Sequence, residues 1–224
     1  MTSYLVTKPL KGSLRPHASR LFLAEGLSEV GFIEAYLTSR GVPVEDILLV
    51  CFEGIGKLAG GVDTLLKLIN DNGQPISRFS HVGVYVDAEA DPVGRRQAVA
   101  NAAQKFGFSA QASQGLLGAL THDENGRRFA FHMAPNNGSS GKIEDMIVAE
   151  IDGSNLSGCM NAYEECLAHE QAIALTSKAK SQIYVISRRN SDAAGIGRAF
   201  TDGTLKVDHG AYAAFRTSID SLID

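Results

Sequence analysis

The chain has 224 residues, a formal net charge of −4 and 44% hydrophobic residues. That is enough for one large domain, or one domain with an appended piece, around a real core. The charge balance excludes a global basic footprint, and so disfavours tight, sequence-independent coating of DNA, but it leaves room for a local Lys/Arg patch.

Residues 1–18 read as a loose N-terminal arm, because MTSYLVTKPLKGSLRPHASR lacks the long apolar stretch of a signal peptide. RLFLAE, 20–25, is a first strand. Ser28 is placed to cap the helix EVGFIEAYLTSRG, which stops at Gly41. DILLVCF, 46–52, is a second strand, apolar enough to be covered on both faces. A helix over 58–68 ends at the turn NDNGQP. HVGVYVD, 81–87, is a third strand, and Pro92 opens the helix VGRRQAVANAAQKFG. Residues 109–127 are small and polar and read as a surface loop, RFAFHM, 128–133, is a fourth strand, and PNNGSSG is a turn. Helices then follow over 142–151, 159–174, 177–189 and 209–222, with a short one near 192–200.

Strands alternating with helices predict an α/β fold: a mostly parallel four-stranded sheet with helices on both faces and a helical C-terminal extension. The domain spans 19–152, and 153–224 packs on it. No run of 18 apolar residues is present, so no spanning helix and no membrane partner are expected. Cys51, Cys159 and Cys166 are odd in number and form no CxxC pair. They read as reduced thiols in a cytoplasmic protein.

Ligands of such sheets bind at the carboxyl ends of the strands. Strand 1 ends in Glu25-Gly26, strand 2 in Glu53-Gly54-Ile55-Gly56-Lys57, and strand 3 in Asp87-Ala88-Glu89. Asp87, Glu89 and Asp91 alternate, so an extended backbone would put all three carboxylates on one side. Glu25, Asp87 and Glu89 are therefore the candidate ligands of a hard divalent cation, Mg²⁺ or Mn²⁺. The plain alternative is helix capping, a role Asp91 fills better than Asp87.

Lys57 is either a phosphate contact or a solvated first-turn lysine. Gly54, Gly56 and Ala59 also fit G-x-G-x-x-G/A, a dinucleotide fingerprint, although on the second strand and without a well-placed acid. In the segment 133–146, Asn136, Glu144 and Asp145 either serve turn and helix dipole or stand beside the strand-3 acids. Lys178, Lys180, Arg188 and Arg189 form a local basic cluster, for phosphates or for solvent. The six histidines show no metal-ligand spacing and read as structural or exposed. No nucleophile elbow supports a hydrolase triad.

The segments AEG, FEGIGKLAG and VDAEADP, in this order, resemble the Toprim domain of topoisomerases, bacterial primases and overcoming-lysogenization-defect nucleases. GVYVDAEADPVGRRQAVANAAQKFGF and MAPNNGSSGKIEDMIVAEI resemble more closely a small stand-alone Toprim-like family of unassigned function, from about residue 20 to the C-terminus. The resemblance implies that Glu25 is the proton shuttle or a metal ligand. It puts the family's DxD motif on Asp87 and Glu89, the second acid here being one methylene longer. Glu29 matches a further acid of small Toprim nucleases, and Lys180 a basic position in the C-terminal helices.

The implied activity is Mg²⁺-dependent phosphodiester chemistry, with nucleic acid or a nucleotide as substrate. Small Toprim proteins also occur in phage defence. The competing class is a non-catalytic nucleotide- or protein-binding module, as a homo-oligomer or with a partner protein.

Overall fold

The apolar runs form the parallel strands expected of them. The computed structural model describes residues 4–5, 18–71, 78–108, 121–122, 125–170, 174–189 and 195–224. Its sheet has the strands β1 (Tyr4–Leu5), β2 (Arg20–Ala24), β3 (Ile47–Cys51), β4 (His81–Asp87), β5 (Thr121–His122) and β6 (Arg128–Ala134). Their spatial order is β1-β3-β2-β4-β6-β5. All neighbours are parallel except β5 against β6. The four long strands are those of the sequence reading. Two short edge strands depart from it: Tyr4–Leu5, in the supposed loose arm, pairs with Val50 and Cys51, and Thr121–His122, in the supposed loop, pairs with Phe129 and Arg128. Most of that loop, the turn after residue 71 and residues 192–194 lie outside the described residues.

The period-two alternation of the strands divides the core in two. Phe22, Ala24, Ile47, Leu49, Cys51, Tyr85, Ala130 and Ala134 face one layer. Leu21, Leu23, Leu48, Val50, Val82, Val84, Val86, Phe129, Phe131 and Met133 face the other. Helices α2 (Leu58–Asp71) and α3 (Pro92–Lys105) cover the second face. The first face is covered by α1 (Leu27–Ser39) together with α4 (Ile143–Asp152), α5 (Ser157–His169), α6 (Ser177–Arg189), α7 (Ile196–Thr201) and α8 (Ala213–Ile223). The expected helix near 159–174 ends early, at His169, and the one expected over 209–222 begins as a 3-10 turn, Gly210–Tyr212. Ser28 does not cap α1; that position belongs to Gly26.

The C-terminal helices are part of the core. Phe215 of α8 stacks on Phe32 at 4.4 Å, on Tyr85 at 5.0 Å and on His132 at 4.7 Å between ring centroids. A Cβ on Gly83 would come within 2.7 Å of Leu222 and of the Tyr85 ring, so the glycine in β4 makes room for α8. Helices α1 and α7 cross backbone to backbone: a Cβ on Gly31 would lie 2.1 Å from the Gly197 carbonyl oxygen. His132, expected to be structural or exposed, is a core histidine, and burial holds its ring neutral by lowering its pKa to about 3. No helix among the described residues is long and apolar enough to cross a membrane.

The connections decide where a ligand fits. After β2 the chain turns into α1 on one face, and after β4 it turns into α3 on the other. The carboxyl ends of β2 and β4, adjacent in the sheet, thus open a crevice between diverging loops. Phe215→Ala is expected to destabilise the whole protein by about 3–5 kcal/mol, in one cooperative denaturant transition. Loss of the C-terminal helices in a separate, earlier transition would show that 153–224 is an appendage.

Candidate functional site

Glu25 and Asp87 stand on either side of that crevice. The Glu25 N–H donates to the Tyr85 carbonyl at 2.9 Å and so prolongs the ladder. Its carboxylate accepts from three donors: the backbone N–H of Ile55 at 3.0 Å, that of Asp87 at 3.0 Å, and the Arg95 guanidinium at 3.1 Å. Glu25 and Arg95 are largely buried, with side chains 12% and 16% exposed. One carboxylate thus ties together the ends of β2, β3 and β4 and the start of α3.

Asp87 faces the other way. Its Oδ1 accepts from the Ile143 N–H, the first of α4, at 2.8 Å. It is a helix cap, but of α4 and not of the helix that follows it. Asp91 caps that one, accepting from the Gly94 N–H at 2.9 Å. Burial, and then the nearby acids Glu144, Glu25 and Glu89, raise the Asp87 pKa to about 7, against the lowering effect of the Ile143 N–H.

The three alternate acids do not share one side. Glu89 takes a left-handed backbone, φ +52°, fixed by reciprocal hydrogen bonds with Gly141 of 2.7 and 2.9 Å. The turn sends its carboxylate to Lys142 Nζ at 2.9 Å, with Arg95 at 3.9 Å. Asp91 is thereby removed from the cluster. Among the described residues, no three His, Cys, Asp or Glu side chains converge to hold a metal ion. The expected trio of Glu25, Asp87 and Glu89 is therefore not an assembled metal centre, because Glu25 and Glu89 already have cationic partners.

An open pocket of about 730 Å³ lies beside this edge, lined by Asp87, Glu89, Lys142, Glu144, Asp145 and Lys178 among others. Glu144 is 8% exposed, and its carboxyl has no hydrogen bond or ion pair among the described residues. It stands in the first turn of α4 beside the helix positive end, which offsets part of its desolvation. Asp145 has a structural task in the same turn: it accepts from the Lys142 N–H at 2.7 Å and from the Ser177 hydroxyl. Glu29 is buried under the same cluster. Burial first, then Asp87, Glu144 and Glu25, hold its carboxyl protonated well above the usual range.

The remaining expected residues lie elsewhere. Lys57 pairs with Glu53 at 3.6 Å, and Lys180 pairs with Glu164 at 2.8 Å. Neither forms an ion pair with an acid of the cluster, so the structure does not bring the expected phosphate-contact lysine Lys57 or the family's basic position Lys180 to it. Asn136 is a turn residue, accepting from the Gly138 and Ser139 N–H groups at 3.2 and 2.9 Å. Gly54, at φ +106°, turns the chain just before Ile55, whose N–H donates to Glu25, which gives the first glycine of the apparent dinucleotide fingerprint a structural use. The cations that matter are Arg95, Lys142 and Lys178. Arg95 carried a signal in the sequence: a cation in the first turn of a helix opposes the dipole and needs a partner.

Because the Asp87 pKa is raised from 3.8 to about 7 on folding, the protonated group's contribution is fully present below pH 3.8 and is lost as pH rises through 7. Without divalent cations, the protein is expected to lose stability between about pH 4 and 7, on the order of a few kcal/mol at most. Asp87→Asn keeps an acceptor for Ile143 and is expected to flatten that slope and to melt higher than the parent at pH 8. Identical pH profiles of the melting temperature would refute this account of the cluster.

The comparisons agree with the architecture. None of the curated proteins matches the chain. Its fold is similar to the crystal structure of a hypothetical protein, PH0156, from Pyrococcus horikoshii OT3, with a TM-score of 0.55 and 12% sequence identity. The alignment covers 91% of this chain and 94% of that one, a likeness of fold alone. A family described as "Protein of unknown function (DUF3226)" matches residues 19–224, from the start of β2 to the last residue of α8 and beyond, and the chain belongs to that family.

Proposed function

We propose that the protein binds a divalent cation at Asp87 and Glu144 and carries out cation-dependent phosphodiester chemistry on nucleic acid or a nucleotide, as its Toprim resemblance implies. One observation carries this reading. Two carboxyls with oxygen capacity to spare, one of them on a buried and unpartnered residue, line the same pocket between the end of β4 and the starts of α4 and α6. Their donor set is hard oxygen only, which suits Mg²⁺ or Mn²⁺ and no thiophilic metal. Mg²⁺ is commonly held by one or two carboxylates, with waters and substrate phosphates completing its shell. The absence of a three-acid cage is compatible with that coordination.

The bound cation would polarise a phosphoryl oxygen and lower the pKa of a bound water. The chain's own groups do the rest. Glu25, fixed by Arg95 and two amides, holds the strand ends at constant spacing and is a positioning residue. Asp87 keeps the Ile143 N–H bond through Oδ1 and lines the pocket, where its second oxygen would serve the cation. Lys142 neutralises Glu89 at the rim, and Glu29 holds its proton below the cluster.

A second reading has its own observation. Arg95 on Glu25 and Lys142 on Glu89 already balance two of the acids, as in a site that needs no metal. That pattern favours a non-catalytic binding module.

Thermal melting with Mg²⁺ or Mn²⁺ separates these readings. Millimolar cation is expected to raise the melting temperature of the parent, by linkage, and to leave Asp87→Ala and Glu144→Gln unmoved. Cleavage of plasmid and oligonucleotides with Mn²⁺ is then expected from the parent and is expected to fall at least about 100-fold in Asp87→Ala. Melting curves indifferent to both cations would overturn the metal site. Cation-linked stabilisation without cleavage would keep the metal site and remove the catalysis, and indifference to the cations would leave the metal-free binding module.

A further inference from the structure

We infer that the pocket beside Asp87 and Glu144 takes a terminal phosphate, a phosphomonoester delivered with its divalent cation, and that Lys178 and the start of α6 form its seat. The inference rests on the cation reading above and narrows the substrate it admits.

The pocket is also walled by Thr176, Ser177 and Lys178, and the Ser177 hydroxyl donates to Asp145. These residues begin the 13-residue helix α6. Thr176 caps it, its hydroxyl accepting from the Ala179 N–H at 3.2 Å. The N–H groups of Ser177 and Lys178 have no acceptor among the described residues. Two free amides at a helix start, with the positive end of the dipole behind them, suit an anion. Lys178 is exposed and makes no ion pair among the described residues, so its charge is available to the same spot. A second observation, independent of the helix, points to a ligand: Glu144, a residue 8% exposed, lines this pocket with no partner for its side chain among the described residues. A buried carboxylate calls for a cation, and a helix start with a free lysine calls for an anion. A metal–phosphate pair meets both needs at once.

Charge also fixes the order of binding. Four carboxylates and two lysines line the pocket, a formal excess of two negative charges. A phosphate alone is repelled, whereas a divalent cation cancels the excess and makes room for it. Among the described residues, the positive residues do not continue into a track. Lys180 is paired with Glu164, and Arg188 lies over the Tyr184 ring at 5.3 Å. A strand bound through its interior needs a groove of cations along the backbone. A single seat suits one dianionic end, carried by a free nucleotide or by the end of a nucleic acid.

The test measures binding by calorimetry to the full-length protein, with and without Mn²⁺. The probes are inorganic phosphate, adenosine 5′-monophosphate, adenosine, and one oligonucleotide with a 5′-phosphate, a 3′-phosphate or neither. Phosphate-bearing probes are expected to bind only with Mn²⁺, and adenosine and the unphosphorylated oligonucleotide to bind at least about tenfold more weakly. Lys178→Ala is expected to weaken the phosphate-bearing probes about tenfold, Lys178→Arg to restore most of the loss, and Lys105→Ala, on the other face, to change nothing. Binding of the nucleotide but not the phosphorylated oligonucleotides identifies a free nucleotide, and binding of both identifies strand ends. Mn²⁺ stabilisation with equal affinity for phosphorylated and unphosphorylated probes, or an unaffected Lys178→Ala, would overturn this inference alone. No stabilisation by Mn²⁺ at all would overturn the cation reading and this inference with it.

Discussion

The site is organised by one buried ion pair, Glu25 with Arg95. Each partner would be costly to bury alone, and the pair is tolerated because hydrogen bonds satisfy the carboxylate on both oxygens. Two of those bonds come from backbone N–H groups at the ends of β3 and β4, which fixes the spacing of three strand ends. The third comes from α3, so the helix on one face is tied to the crevice. Removing Arg95 would leave a buried carboxylate among Glu29, Asp87 and Glu144, the most unfavourable change available at this edge. The other acids of the edge are arranged around that tether.

The fold was legible because the strands speak twice, in composition and in period. ILLVC is buried at all five positions, and its alternate residues divide cleanly between the two cores. The two-residue edge strands were not legible, since Tyr4–Leu5 and Thr121–His122 pair through backbone groups that leave no pattern in so short a stretch. The start of α1 was misplaced because Ser28 satisfies the usual capping rule. The residue that holds the position, Gly26, sits against Glu29, where a Cβ would lie 2.8 Å from the carboxylate oxygen.

At the site, the neighbourhood was legible and the roles were not. Glu25, Asp87, Glu89 and Glu144 do gather at one edge, as parallel strands require. Their orientation depends on two facts absent from any local pattern. Glu89 adopts a positive φ that an alternating-strand argument does not anticipate. Asp87 turns to α4, whose first N–H comes from 56 residues further along the chain. Lys57 and Lys180 were attractive as lone cations near glycines or in a basic run, but each has an acid within ion-pair distance, Glu53 and Glu164. A lysine's charge is informative only once its nearest carboxylate is known, and that is a tertiary property.

The cluster shows how the chain's own groups compensate four of five neighbouring acids. Cations neutralise two: Arg95 at Glu25 and Lys142 at Glu89. Protons neutralise two more, Glu29 by deep burial and Asp87 up to about pH 7. Glu144 is left with the helix positive end alone. The least compensated member is thus the one that lines the pocket, next to the one whose proton is held only to neutral pH. On the proposed reading, a divalent cation would displace one proton and no side chain there, and the Glu25–Arg95 tether would stay intact. Metal affinity at such an edge rises with pH, because the competing ligand is a proton, while the frame that positions the carboxyls stays as it is.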